Sequence, residues 1–185
     1  MAPTKPGKYK KTDNAFLADK VALRSRHMPD SPIVLDCFAG EGTIWEMVKA
    51  ENPEKKIITL SIEMIKNKGK FHLVGDNTRF LSALDLSVYN VIDLDSYGVP
   101  YKQLKILFDR QYKGTVFFTF IMSFVGELHH NMLYEIGFSE TMLSKAKVLC
   151  FRHGWEKFKE YLALHGIEQV TYIAHGRTYY GYFIM

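Results

Sequence analysis

Residues 34–43 read Val34-Leu35-Asp36-Cys37-Phe38-Ala39-Gly40-Glu41-Gly42-Thr43. The stretch from Ser31 to Phe38 starts a strand with a continuous apolar run, the pattern of a strand buried on both faces in a parallel sheet. Gly40 and Gly42 let the backbone turn tightly and let a ligand come close to it. Thr43 to Glu51 reads as a helix ending near Asn52-Pro53, and its first N–H groups have no partner within the helix. Strand, glycine turn and helix in this order hold the pyrophosphate in dinucleotide-binding folds. Two residues argue against a dinucleotide here. The third small residue of that fingerprint would fall at Trp45, and Asp36 puts a negative charge where phosphates would lie. A carboxylate at that point suits a ligand with a cationic group.

Outward from this turn the chain alternates strand and helix five times. Strands are expected at Lys56–Ile62, Phe71–Gly75, Tyr89–Asp93 and Gly114–Met122. Helices are expected around Met64–Lys68 and at Thr78–Leu84 and Tyr101–Tyr112. Connections of this length imply parallel pairing with right-handed crossovers. The last third changes rhythm. Asn131–Lys147 and Trp155–His165 read as helices, with Gly166 as a stop. Strands at 168–174 and 178–184 are joined by His175-Gly176-Arg177, a connection short enough only for an antiparallel hairpin. The expected fold is a doubly wound, Rossmann-like α/β sheet of seven strands, mostly parallel, finished by a C-terminal antiparallel hairpin. Before the first strand, residues 14–27 read as a helix with Asn14 as N-cap and an apolar stripe of Phe16, Leu17, Ala18, Val21, Ala22 and Leu23, broken by Pro29 and Pro32. Residues 1–13 read as a flexible basic lead and residues 14–185 as one domain.

The chain has 185 residues, 47% hydrophobic and 24% charged, a balance that excludes a wholly disordered protein. The longest apolar stretch, Thr115 to Val125, is too short to span a bilayer, so no membrane segment is expected. The first residues are basic but lack an apolar segment behind them, so a secretory signal is not expected either. Cys37 and Cys150 form no CxxC pair, which argues against a zinc site or a disulfide framework and for a reduced, cytoplasmic setting. His129 and His130 are adjacent and diverge, so no metal site is expected. Positive charge concentrates in residues 1–26, where Lys5, Lys8, Lys10, Lys11, Lys20, Arg24 and Arg26 face only Asp13 and Asp19. Such a segment can screen the phosphates of a nucleic acid or merely keep the protein soluble.

Four further acidic residues fall at strand ends. Glu63 follows the second strand, where a carboxylate can accept both hydroxyls of a ribose or cap the next helix. Asp76 follows the third strand and precedes the helix at Thr78, which it can cap. Asp93 and Asp95 end the fourth strand. Two apart on an extended chain, they point to the same side, and paired carboxylates are costly without partners. That cost makes a functional use the expectation.

The string DCFAGEGT at Asp36–Thr43 resembles the first motif of the class I S-adenosylmethionine-dependent methyltransferases, in the DxFxGxGT form of the amino-group nucleic-acid enzymes. The resemblance implies that Asp36, Phe38, Gly40 and Gly42 shape the pocket for the methionine part of S-adenosyl-L-methionine, with S-adenosyl-L-homocysteine as product. It further implies that Glu63 binds the ribose, that Asp76 contacts the adenine amino group, and that the backbone amide of the neighbouring Asn77 contacts the ring. The string Ile92-Asp93-Leu94-Asp95-Ser96-Tyr97-Gly98-Val99-Pro100 is similar to the D-x-D-P-Phe-Gly-x-Pro loop of the tRNA guanosine dimethyltransferases, with Ser96 for the proline and Tyr97 for the phenylalanine. By that likeness Asp95, Tyr97 and Asp93 are the catalytic candidates. The polar groups orient the target amine and the aromatic ring stacks on the base. The expected substrate is an exocyclic amino group of a nucleic acid, RNA before DNA, held in part by the basic N-terminal segment; the alternatives are a catalytically silent binding protein of the same fold, or a methyltransferase of small molecules or proteins. That family is much longer and carries an added RNA-binding domain that 185 residues cannot hold.

Overall fold

The computed structural model describes residues 16–64, 72–122, 128–145 and 153–185. Helix α1 spans Leu17–His27, β1 Ile33–Asp36, α2 Thr43–Glu51, β2 Ile58–Glu63, β3 His72–Val74, α3 Asn77–Ala83, β4 Val91–Leu94, α4 Tyr101–Asp109 and β5 Thr115–Ile121. Helices α5 (His130–Glu135), α6 (Glu140–Lys145) and α7 (Gly154–Leu164) follow, then β6 (Thr171–His175) and β7 (Thr178–Ile184). The strands form one seven-stranded sheet in the order β3-β2-β1-β4-β5-β7-β6. All pairs from β3 to β5 are parallel, and β7 runs antiparallel to both β5 and β6. The expected doubly wound α/β sheet with its antiparallel hairpin is therefore the observed one. Its strand order reverses between β1 and β4, the crevice where such sheets take their ligands. Among the described residues no helix is long and apolar enough to cross a membrane.

The period-2 alternation of the central strands builds two cores. Val34, Val91 and Phe117 pack with Val21, Trp45 and Val48 under α1 and α2. Leu35, Ile92, Val116 and Phe118 pack on the opposite face with Leu104, Leu107, Phe158 and Tyr161. Asp36 shares its side with Val34, and Asp93 shares its side with Val91, so both carboxylates face α1 and α2.

The elements depart from the sequence reading in three informative places. Helix α1 starts at Leu17, and Phe16 stands before it in a left-handed conformation (φ 58°). Phe16 is therefore off the helical stripe and stacks on His175, ring centroids 3.7 Å apart. The expected Asn14 cap, the lead 1–13 and most of the helix expected at Met64–Lys68 lie outside the described residues. Helix α4 ends at Asp109 and not at Tyr112: Gln111 turns left-handed (φ 52°), and the Tyr112 N–H donates to the Leu107 carbonyl, a Schellman ending. The helix expected at Asn131–Lys147 is two helices, because Gly137 (φ 93°) closes α5. Gly166 (φ 82°) ends α7 as expected, the Ile167 N–H donating to the Leu162 carbonyl.

Candidate active site

The glycine turn is held by its own backbone. The Gly42 N–H donates to the Ala39 carbonyl at 2.7 Å, and Gly40 and Gly42 both take positive φ (54° and 78°). A Cβ at Gly42 would touch nothing within 4 Å, so the requirement for glycine there is conformational, not spatial. The Cys37 N–H donates to the Asp93 carbonyl, and the Ala39 N–H to the Ile62 carbonyl. The turn is thereby suspended between the ends of β4 and β2.

Glu63 closes the turn from the other side. One carboxylate oxygen accepts from the Gly40 N–H at 2.8 Å and the other from its neighbour Met64 at 2.7 Å. Asp36 is buried, 4% exposed, and accepts from the Phe38 N–H at 3.3 Å. Burial, reinforced by the negative charge of Asp93, pushes its carboxyl well above the usual range, and Arg24 offsets this only in part. Asp36, Phe38, Gly40, Gly42 and Glu63 are thus brought together around one turn.

Asp76 caps α3. Its carboxylate accepts from the Thr78 N–H at 2.9 Å and the Thr78 hydroxyl at 2.8 Å, and these bonds hold it below the usual carboxylate range. The side chain is solvent-exposed. Asn77 reaches across to the glycine turn, its Nδ2 donating to the Cys37 carbonyl at 2.7 Å, while its Oδ1 accepts from Gln103 Nε2 at 2.8 Å.

The two aspartates at the end of β4, Asp93 within it and Asp95 just past it, do point to one side, as their spacing requires, but that side is occupied. Arg24 grips Asp93 with Nε and one terminal nitrogen, both at 2.6 Å, and the Trp45 indole N–H donates to the same carboxylate at 2.7 Å. Asp95 accepts from Lys20 Nζ at 2.8 Å and from the Thr119 hydroxyl. The cost of two neighbouring carboxylates is met inside the fold, so the inference from that cost to a functional use does not hold for Asp93. Its oxygens serve α1 and α2. Asp95 lies farther out and uses two of roughly four lone-pair sites.

The same contacts revise the basic segment. Lys20 and Arg24 are 5% and 1% exposed and are spent on Asp95 and Asp93. They cannot meet phosphates, and Asp19 is itself paired with His175 at 2.7 Å. The lysines at 5, 8, 10 and 11 lie outside the described residues.

Tyr97 is 85% exposed, so it is no core aromatic. Its loop is anchored on both sides. The Ser96 hydroxyl donates to the Thr119 carbonyl at 3.2 Å, and the Gly98 carbonyl accepts from the Ile121 N–H at 3.1 Å. Gly98 takes φ 120°, a conformation that favours glycine. Cys37 is buried with its thiol pushed up by burial and by Asp36, as expected for an inert residue. Among the described residues no group of acids, histidines and cysteines could hold a metal.

The sequence reading missed Lys20, Arg24, Trp45, Thr119 and Gln103. A signal existed for the first two. They lie four apart on α1 and interrupt its apolar stripe beside Val21 and Leu23, which marks them as buried cations in need of acids.

No family model matches the chain, and no curated protein sequence does. Solved structures do share the fold. A protein described as a ribosomal RNA methyltransferase from Plasmodium falciparum aligns with a TM-score of 0.58 at 12% identity, over 94% of this chain and 97% of that one. A protein described as a hemolysin from Lactococcus lactis aligns at 0.55 and 14%, over 96% and 89%. PigF, solved with SAH, aligns at 0.51 and 14%, over 92% and 56%. At these identities the likeness is one of fold: a Rossmann-like methyltransferase fold.

Proposed function

We propose that this chain is an S-adenosylmethionine-dependent methyltransferase acting on an exocyclic amino group of a nucleic acid, RNA before DNA, in the cytoplasm. The observation that carries the reading is the pair of carboxylates, Asp36 and Glu63, converging on the glycine turn beside the β1/β4 crevice. Among the described residues Asp36 is buried with no ion pair of its own, Arg24 being taken by Asp93, and it suits the ammonium of a methionine moiety. Glu63 exchanges its bond to Gly40 for the ribose hydroxyls, and Asp76 and Asn77 border the adenine. Bound there, S-adenosylmethionine would supply a methyl on its sulfonium for displacement by the amine, the sulfur leaving as the thioether of S-adenosylhomocysteine and the amine's surplus proton passing to water. Asp95 needs only to accept a hydrogen bond from that amine and keep its lone pair in line. Tyr97, exposed at the rim, offers a face for a base.

Support for the nucleic-acid half comes from where the chain joins the fold. Phe16 stacks on His175 at the end of the β6–β7 hairpin, and Lys20 one turn later meets Asp95. The four lysines before residue 12 therefore precede a point at the same edge of the sheet as the candidate site. One observation favours a second reading, a methyltransferase-fold protein that binds without catalysis: both oxygens of Asp95 are already engaged.

The deciding experiment pairs titration calorimetry with S-adenosylmethionine and single-turnover transfer of labelled methyl to mixed tRNA and to DNA. Binding with transfer supports the first reading. Binding without transfer to either nucleic acid removes the nucleic-acid half. No binding at all leaves the non-catalytic reading.

A further inference from the structure

We propose that Gln103 is a positioning residue for the adenosine half of the cofactor, an inference that rests on the cofactor reading above. Gln103 sits in the first turn of α4, half-buried, 26 residues from Asn77. Its Nε2 donates to Asn77 Oδ1 at 2.8 Å, and Asn77 Nδ2 donates to the Cys37 carbonyl at 2.7 Å. The Cys37 N–H in turn donates to the Asp93 carbonyl at 2.9 Å. One continuous relay therefore ties α4, the start of α3, the glycine turn after β1 and the end of β4.

The relay fixes a distance that matters. The turns at 37–42 and 75–77 are the two walls between which an adenosine would lie, and the Asn77 carboxamide spans them. An amide held at both ends has one orientation. Held only at Cys37, it swings about its χ2 torsion, which is broad and weakly hindered, and the walls lose their fixed spacing. Gln103 supplies the second hold. It acts through Asn77, on the β3 side of the glycine turn, whereas the transferred methyl belongs on the β4 side near Asp95. Its removal should weaken ground-state and transition-state binding of the cofactor alike and leave the chemical step alone.

The test uses the full chain and two probes: S-adenosylhomocysteine, and 5′-methylthioadenosine, which carries only the nucleoside half. Two substitutions remove the donor, Gln103→Leu and the near-isosteric Gln103→Glu, so that a folding failure of the first leaves the second. Calorimetry should show both probes weakened by about tenfold and by the same factor, the scale of one hydrogen bond. KM for S-adenosylmethionine should rise equally, with kcat at saturation within about twofold. Asn77→Ala combined with Gln103→Leu should bind no more weakly than Asn77→Ala alone, since both break one relay. Unchanged affinity for both probes, with only a lower melting temperature, overturns the proposal and leaves a plain α3–α4 link. A fall in kcat at constant KM overturns it too. If the parent protein binds neither probe, the cofactor reading itself has failed, and this proposal goes with it.

Discussion

Arg24 and Asp93, 69 residues apart in the chain, form a bidentate ion pair in which both side chains are 1% exposed. Lys20 and Asp95 form a second rung beside it. The two rungs match because their spacings match. One helical turn between Lys20 and Arg24 advances about 5.4–6 Å, and two strand residues between Asp93 and Asp95 advance about 6.6 Å. The ladder clamps α1 to the end of β4, and Trp45 ties α2 to the same carboxylate.

Removing one partner of the deeper rung should be severe. Arg24→Met leaves Asp93 buried with, among the described residues, only the indole N–H of Trp45 to satisfy its side chain. The loss expected for an uncompensated buried charge is about 3–5 kcal/mol. Arg24→Met with Asp93→Asn should cost clearly less than the two single changes added together. Urea unfolding of the three variants measures this, and simple additivity would show that the pair is not coupled.

Asp36 makes stability depend on pH in a defined direction. Its folded-state carboxyl titrates well above the usual range, through burial first and the charge of Asp93 second. The folded state therefore holds a proton that the unfolded chain gives up near pH 4. The contribution is complete below that pH and is lost as pH rises through the folded-state value. Asp36→Asn should lose less stability than the parent between acid and neutral pH, as read from urea midpoints across the range. A cationic cofactor needs the ionised form, so its affinity for the parent should rise with pH over the same window. An affinity that is flat with pH would remove Asp36 from the cofactor site.

Tyr97 and Asp95 should separate function from stability. Tyr97→Ala removes an exposed ring and should change unfolding free energy by no more than about 0.5 kcal/mol. If the ring stacks on a base, the same change should weaken acceptor binding by about 1–3 kcal/mol, measured by RNA titration at fixed salt. Asp95→Asn keeps the shape but takes the charge from Lys20. It should lower both turnover and stability, and turnover by about 100-fold. Parental turnover in Asp95→Asn would make the residue purely a partner of Lys20.

Asp76 has two uses that substitution can tell apart. Asparagine caps helices as well as aspartate does, whereas alanine does not. Asp76→Ala should cost about 1 kcal/mol, and Asp76→Asn nearly nothing. If the carboxylate also accepts from the adenine amino group, Asp76→Asn should still weaken S-adenosylhomocysteine binding several-fold. Calorimetry showing parental affinity in Asp76→Asn would leave the residue as a cap alone.

The lysines before residue 12 can be tested by salt. Deleting residues 1–12 removes Lys5, Lys8, Lys10 and Lys11. The slope of log affinity against log salt should flatten by roughly 3–4 units if all four meet phosphates. An unchanged slope would make the segment a solubilising tail.

Local sequence determined the layout. Apolar runs such as Ile33–Asp36 and Thr115–Ile121, the positive-φ glycines at 40, 42 and 166, and the two-residue Gly176-Arg177 connection each act over a few residues, so the α/β order and the hairpin were legible without the structure. The acids around the glycine turn were legible for the same reason, since Asp36 and Glu63 sit at strand ends that the pattern marks. Partner choice was not. Whether Asp93 faces a substrate or an arginine depends on which helix covers its side of the sheet, and that helix lies about 70 residues earlier in the chain. Parity told that Asp93 and Asp95 share a side; only tertiary packing decided that Lys20, Arg24 and Trp45 fill it. The Gln103–Asn77–Cys37 relay escaped for the same reason: three residues on separate elements, each ordinary in its own neighbourhood, come into hydrogen-bond contact only when the strand order 3-2-1-4 brings their ends together.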